Sequence, residues 1–300
     1  MSFNFLSFLR SCPGAVAQGI IWGIMAVGVY LTYKVLDYAD LTVDNSLCTG
    51  GAVCAMLITS GSSPVLAMLC AVIAGFAAGL VTGLLHTKLR IPAILAGILT
   101  QLALYSINMR IMGRANVSLL KVDTVITISN IPHAILIGAI LAAALIVILY
   151  FFFGTETGCA IRATGSNPDM ARSLGVNTDT MKVLTLMISN GLVALSGSLI
   201  AQYQGFSDIN MGRGAIVIGL ASVIIGEVLI GKNRNFAVKL LSTVIGSIVY
   251  YLIITIVLQA GLATTDLKLF SAIVVAIALG IPSVREQLSQ KPKKEKGGEN

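Results

Sequence analysis

Two stretches of this chain, Ala134–Phe153 and Ser242–Leu258, run their whole length without a charged side chain. A helix needs about 20 consecutive apolar residues to cross the hydrocarbon core of a bilayer, whereas a helix on the surface of a soluble domain keeps a polar face. Hydrophobic types make up 56% of the 300 residues and charged types 11%, against about a quarter charged in ordinary soluble domains. Mean hydropathy is +0.90. Backbone polar groups in hydrocarbon must be satisfied within the chain, so the expected fold is an all-α, polytopic bundle in a bilayer. Residues 1–290 then form a single transmembrane domain, followed by a basic, disordered tail over 291–300.

The apolar runs predict spans at Ala15–Leu36, Pro64–His86, Pro92–Met109, Pro132–Phe153, Met181–Tyr203, Ile216–Ile230, Phe236–Leu258 and Leu267–Ile281. Leu47–Ser60 is shorter and opens with Cys48-Thr49-Gly50-Gly51. It reads as re-entrant or as half of a broken helix, which leaves about eight to ten transmembrane helices. Arg10 ahead of the first run imitates a signal peptide, but the length of that run and Lys34 at its far end favour a retained span.

The formal charge is +7. The basic residues sit at the ends of apolar runs and in Lys291–Lys296, a pattern that orients a membrane protein with its positive loops in the cytoplasm and does not point to nucleic acid. If Leu47–Ser60 does not cross fully, Arg10, His86 through Arg90, Arg162 with Arg172, Lys232 with Arg234, and Arg285 through Lys296 share the cytoplasmic side. Asp37, Asp40, Asp44, Asp208 and Asp266 then lie opposite, with the loop Arg110–Asn130. The five cysteines are scattered and only His86 and His133 represent histidine, so neither a metal site nor a disulfide framework is expected. No catalytic constellation is visible.

A faint repeat relates Asp44-Asn45-Ser46-Leu47-Cys48-Thr49-Gly50-Gly51 to Asp208-Ile209-Asn210-Met211-Gly212-Arg213-Gly214. Each copy follows a span and opens a short apolar run. Paired features of this kind mark the path of a transporter, and they also arise wherever a helix restarts. On the first reading, Asp44, Asn45, Asp208 and Asn210 line a substrate path. Glu227, at the end of an apolar run, either lines the cytoplasmic mouth of that path or snorkels beside Lys232. Gln101, Asn108, Asn190, Gln202 and Gln204 read chiefly as hydrogen-bonding groups between helices.

The polar segment Gly154–Thr180 separates two spans and predicts a short amphipathic helix, Pro168–Leu174. Ser166 or Asn167 caps it, Pro168 fits its first turn, Asp169 suits its positive end and Gly175 stops it. Met170, Ala171 and Leu174 share one face, which rests either on a partner or on lipid headgroups.

Gly158, Arg162, Ala163, Gly165, Asn167, Ala171 and Gly175 together resemble the cytoplasmic loop of ABC-transporter permeases of the ribose and branched-chain amino-acid type. The run Met181–Glu227, with Ser189-Asn190-Gly191-Leu192, Ala201-Gln202-Tyr203-Gln204-Gly205 and Gly219-Leu220-Ala221-Ser222, is similar to a subgroup labelled tryptophan/tyrosine-type permeases. The resemblance implies a multi-pass protein of the bacterial plasma membrane that imports a small solute, an amino acid as the first guess. It implies a coupling surface made of Arg162, Gly165, Asn167, Met170, Ala171, Leu174 and Gly175. The partners it implies are cytoplasmic ATPase subunits, a second permease copy that forms a homodimer, and an extracellular solute-binding protein. The chain has no Gly-x-x-x-x-Gly-Lys-Ser/Thr phosphate loop, so no cofactor is expected here and ATP is consumed by the partner. A gradient-driven secondary transporter is the alternative, with Glu227 as its one plausible coupling carboxylate.

Overall fold

A computed structural model describes residues 5–120, 122–231, 234–259 and scattered positions from 269 to 280. The chain is helical almost throughout. Helix α1 (Phe5–Tyr30) runs on into a π-helical stretch, Leu31–Val35, and is followed by α2 (Val43–Thr59), α3 (Pro64–Thr87) and α4 (Ala93–Met112). A short strand β1 (Asn116–Ser118) leads to α5 (Ile131–Gly154), α6 (Glu156–Ser166) and α7 (Pro168–Ser173). Then come α8 (Thr178–Gln204), β2 (Phe206–Asp208), α9 (Ala215–Ile230) and α10 (Phe236–Gln259).

Sequence signals set the helix ends. Ser63 Oγ accepts from Leu66 N–H ahead of Pro64, Asn130 Oδ1 from His133 N–H ahead of Pro132, and Asn177 Oδ1 from Thr180 N–H, each satisfying a donor that the first turn leaves unpaired. At the other end, α4 and α8 stop at Gly113 and Gly205 in the left-handed conformation.

Six of these helices are long and apolar enough to cross a membrane: Arg10–Val35, Pro64–Thr87, Ala93–Met112, Ile131–Gly154, Thr178–Gln204 and Phe236–Gln259. Val43–Thr59 and Ala215–Ile230 are apolar but shorter. Leu47–Ser60 therefore belongs to one unbroken helix that starts earlier than its apolar run, and the run Ile216–Ile230 forms one of the two short helices. The expected span Leu267–Ile281 lies largely outside the described residues, as do Lys232, Asp266 and the tail 291–300.

Helix α8 is the axis of the bundle and is buried along most of its length. Close approach there depends on glycine. A Cβ on Gly197 would collide with the Leu47 carbonyl, and one on Gly50 with the backbone at Ala194. With no water to drive helices together, such small-residue contacts supply the packing between them.

Helices α1, α2 and α3 and helices α8, α9 and α10 form an inverted repeat. Helix α1 packs on α10 as α8 packs on α3, α1 on α9 as α8 on α2, and α2 on α3 as α9 on α10. The direction reverses between the copies. The end of α1 lies beneath α6, where Gly165 meets Val35 and Leu36, and α8 starts on that same face, where Arg172 Nε donates to Thr178 Oγ1 at 2.9 Å. At the other face the start of α1 meets the ends of α8 and α10: Gly14 faces the Tyr203 hydroxyl and Gln259 Nε2 donates to Ser11 Oγ at 2.9 Å.

This geometry corrects the sidedness expected from the sequence. Because α2 runs on to the face opposite α6, Arg10 lies away from His86, Arg90, Arg162 and Arg172 rather than with them. Asp37 follows the π turn on the α6 face, and Asp40 and Asp44 turn back into the bundle. Of the acids expected opposite that face, Asp208 is there, on β2 paired with β1 (Asn116↔Asp208).

Candidate translocation seam and coupling face

Each short helix is preceded by a chain reversal held by an aspartate. Asp40 Oδ1 accepts from Thr42 N–H at 2.9 Å and Asp208 Oδ1 from Asn210 N–H at 2.8 Å, the side-chain-to-backbone turn that aspartate favours. The two reversals differ in setting. Asp208 sits at the surface, its other oxygen 3.4 Å from Asn116 Nδ2. Asp40 is 2% exposed and takes 2.7 Å from Asn190 Nδ2 halfway along α8. Asn190 Oδ1 in turn accepts from Ser46 Oγ at 2.6 Å. This chain of bonds ties the reversal, α2 and α8 together in a place where an unpaired polar group is costly. Beside it Tyr38 Oη reaches the Ala93 carbonyl at 3.4 Å; burial first, and the charge of Asp40 second, push the Tyr38 phenol above its ordinary pKa range.

Asp44, in the first turn of α2, closes the seam between the two copies. Its Oδ2 accepts from Gly214 N–H at 3.0 Å and its Oδ1 from Ile216 N–H at 2.9 Å, both at the start of α9. A carboxylate at a helix N-terminus meets unpaired donors and the positive end of the dipole. The carboxylate that the sequence places on a substrate path thus holds α9 against α2. The resemblance seen around Asp44 and Asp208 reflects a true structural repeat, but the residues that share a role are Asp40 and Asp208.

The five expected path residues do not form one cluster. Asn45 is next to Asp44 in the bundle, its Nδ2 donating to the Gln101 carbonyl at 2.6 Å, and its own carbonyl accepts from Asn108 Nδ2 at 3.3 Å. Asp208 and Asn210 are on the face opposite α6. Glu227 is at the α6 face, paired with Lys34 Nζ at 2.8 Å. Among the neutral polar groups, Asn190 and Gln202 do link helices, the latter through Cys54 Sγ at 3.3 Å. Asn108 Oδ1 is buried without a hydrogen-bond partner among the described residues. Its location beside Asn45 was not legible from spacing on either helix.

The segment 154–180 folds as two helices rather than one. Helix α7 ends one residue earlier than expected, with Leu174 as its C-cap, and α6 before it was missed. Asn167 is the cap, its Oδ1 accepting from Met170 N–H at 3.0 Å, and Gly175 adopts φ +84°. The seven expected coupling residues divide by role. Met170 and Leu174 are 55% and 71% exposed. Ala171 turns inward at 1% exposure, which removes it from the outward face because it packs α7 onto the chain. A Cβ at Gly165 would strike the Val35 carbonyl, so this glycine seats α6 on the end of α1. Arg162 is exposed, its guanidinium 6.0 Å from the centre of the Phe236 ring.

An inverted helical repeat of membrane-length helices, with two short helices joined at its seam, is the architecture of a membrane transporter. Residues 14–281 match the family described as branched-chain amino acid transport system / permease component, and the chain belongs to that family. It is a multi-pass bacterial membrane protein, the permease component of an ABC transporter, and the family is one of transport proteins rather than enzymes. A tyrosine transport system permease protein from Clostridioides difficile (strain R20291) is 42% identical over 275 residues, covering 92% of each chain. The galactofuranose transporter permease protein YtfT of Escherichia coli (strain K12) is 26% identical over 274 residues, 87% of this chain and 76% of that one. Among solved structures, PsaBC from Streptococcus pneumoniae in complex with Fab matches with a TM-score of 0.55 at 15% identity, over 92% of this chain and 95% of that chain, a likeness of fold.

Proposed function

We propose that the chain imports an amino acid with an aromatic side chain, tyrosine first, driven by ATPase subunits that dock on α7. The observation that carries the docking role is the exposed pair Met170 and Leu174 on a helix whose remaining apolar residue, Ala171, anchors it to the rest of the chain. The solute follows from the 42% identity to a tyrosine permease.

The transmission runs along contacts. A push on α7 reaches α6 directly, and Gly165 of α6 bears on Val35 and Leu36. The π turn there has a local geometry that is common at functional sites. Past it the reversal carries Asp40, bonded to Asn190 on α8, and α2, whose Asp44 holds the start of α9. Nucleotide binding by the partner shifts the population between two arrangements of this seam, since only a difference in affinity for two states does so. Asn45 and the unspent oxygen of Asn108 are the polar groups that meet the solute as the seam parts. A second copy of this chain completes the pore and an extracellular binding protein delivers the solute. ATP is used by the partner, and the α6 face is cytoplasmic, in keeping with His86, Arg90, Arg162, Arg172 and Arg234 on it.

The secondary-transporter reading needs a free intramembrane carboxylate, and Glu227 is engaged by Lys34. Co-expression with the ATPase of the same transport system, followed by tyrosine uptake into proteoliposomes, tests the proposal. Uptake that requires ATP supports it; uptake that follows an imposed ion gradient without ATP overturns it.

A further inference from the structure

The α6 face carries a cationic cleft beside the contact between Gly165 and Val35. A cleft of about 440 Å³ opens between the π turn of α1, the end of α6 and the start of α10, lined by Lys34, Arg162, Arg234 and Lys239 above Tyr30 and Phe236. Lys34 is matched by Glu227. Among the described residues, Arg162, Arg234 and Lys239 have no carboxylate within ion-pair distance. The cleft thus holds an excess of positive charge that nothing described in the chain neutralises.

Arg162 over Phe236 forms one wall of this cleft and also of a neighbouring groove, lined by Tyr150, Phe151, Phe153, Gly154 and Thr155. Tyr150 and Phe151 are 48% and 69% exposed. They lie at the end of α5, whose membrane-length apolar window is only 17% buried within the single chain, which leaves its outer surface open to lipid. An apolar, aromatic groove that opens toward the bilayer therefore leads to a cationic cleft at the membrane surface.

We propose that this pair of surfaces binds an anionic phospholipid, its phosphate in the cationic cleft and the start of its acyl chain along the aromatic groove. Basic pockets between spans on the cytoplasmic side have the right charge and depth for such head groups. A free phosphate satisfies the cleft equally well but has no use for the groove, which is why the lipid is favoured.

The test uses the permease in complex with its ATPase, purified in detergent and examined by native mass spectrometry with phosphatidylglycerol or phosphatidylcholine added. Phosphatidylglycerol is expected to be retained preferentially. In the double variant Arg234→Gln with Lys239→Gln that preference falls about twenty-five-fold, since each cation near an anionic lipid surface contributes about fivefold. Equal retention of the two lipids, or a preference unchanged in the variant, overturns the proposal. Inorganic phosphate displacing phosphatidylglycerol at equal concentration marks a free-anion site and also overturns it. Loss of the ATPase from the double variant with lipid retention intact assigns the cleft to the protein partner, again against the proposal. If the double variant does not assemble, Arg234→Gln alone decides: a roughly fivefold drop supports the lipid site and no change removes it.

Discussion

The seam where α2 meets α8 and α9, and the lever formed by α6 and α7, are built on opposite terms. In the seam every charged atom is committed. Asp40 is held by Thr42 and Asn190, and Asp44 by Gly214 and Ile216. On the lever Ile161 of α6 is buried, but Met170 and Leu174 are left facing outward. Where a group is buried and satisfied, removing its partner costs stability; where it is exposed, removing it costs little in the isolated chain. The seam therefore holds the fold while the outward side chains of α7 add little to it, so substitutions in the two regions should separate stability from the proposed coupling.

Asn190→Ala gives the largest effect. It leaves the buried Asp40 carboxylate short of a donor and frees Ser46, an expected loss of about 3 kcal/mol, read as a fall in the unfolding midpoint of the detergent-purified protein. A neutral outcome would show that Asp40 does not depend on Asn190. Asp44→Ala strips two donors at the start of α9 of their acceptor, at an expected cost of about 2 kcal/mol. Asp44→Asn, which keeps one acceptor oxygen, should recover roughly half of that by the same thermal assay.

Gly165→Ala lies between the two regions. The added Cβ meets the Val35 carbonyl and costs about 1–2 kcal/mol as overpacking, yet it lifts α6 off the end of α1. ATP hydrolysis by the complex is expected to continue while uptake falls at least several-fold; a parallel loss of both would mean that the contact only stabilises. Lys34→Ala comes last. The pair with Glu227 is partly exposed, at 34% and 27%, so solvent screening limits the loss to less than about 1 kcal/mol, and a larger one would show Glu227 to be a structural keystone.

Much of this was legible in the sequence for reasons that differ by region. Uncharged runs such as Ala134–Phe153 announce helices because hydrocarbon leaves the backbone no other partner. Asn167, Pro168 and Gly175 fix α7 because capping is a local matter, decided within a turn of chain. The inward turn of Ala171 was not visible, since Met170, Ala171 and Leu174 share a face by spacing and only the tertiary contact separates them. Sidedness failed at Arg10 because it hinged on one short helix, α2, whose 17 residues sit below the usual length of a span. The roles of Asp40 and Asp44 depend on partners on α8 and α9, more than a hundred residues away along the chain, and no periodicity encodes that.

In the proposed mechanism α7 hands force from an ATPase to the seam through Met170 and Leu174. The direct measurement is ATP-dependent tyrosine uptake into proteoliposomes by the complex carrying Met170→Ser with Leu174→Ser, alongside its unfolding midpoint. The predicted result is a fold unchanged within about 0.5 kcal/mol and uptake reduced at least tenfold as the ATPase uncouples or dissociates. Uptake at the unsubstituted level, with the ATPase still bound, would contradict it.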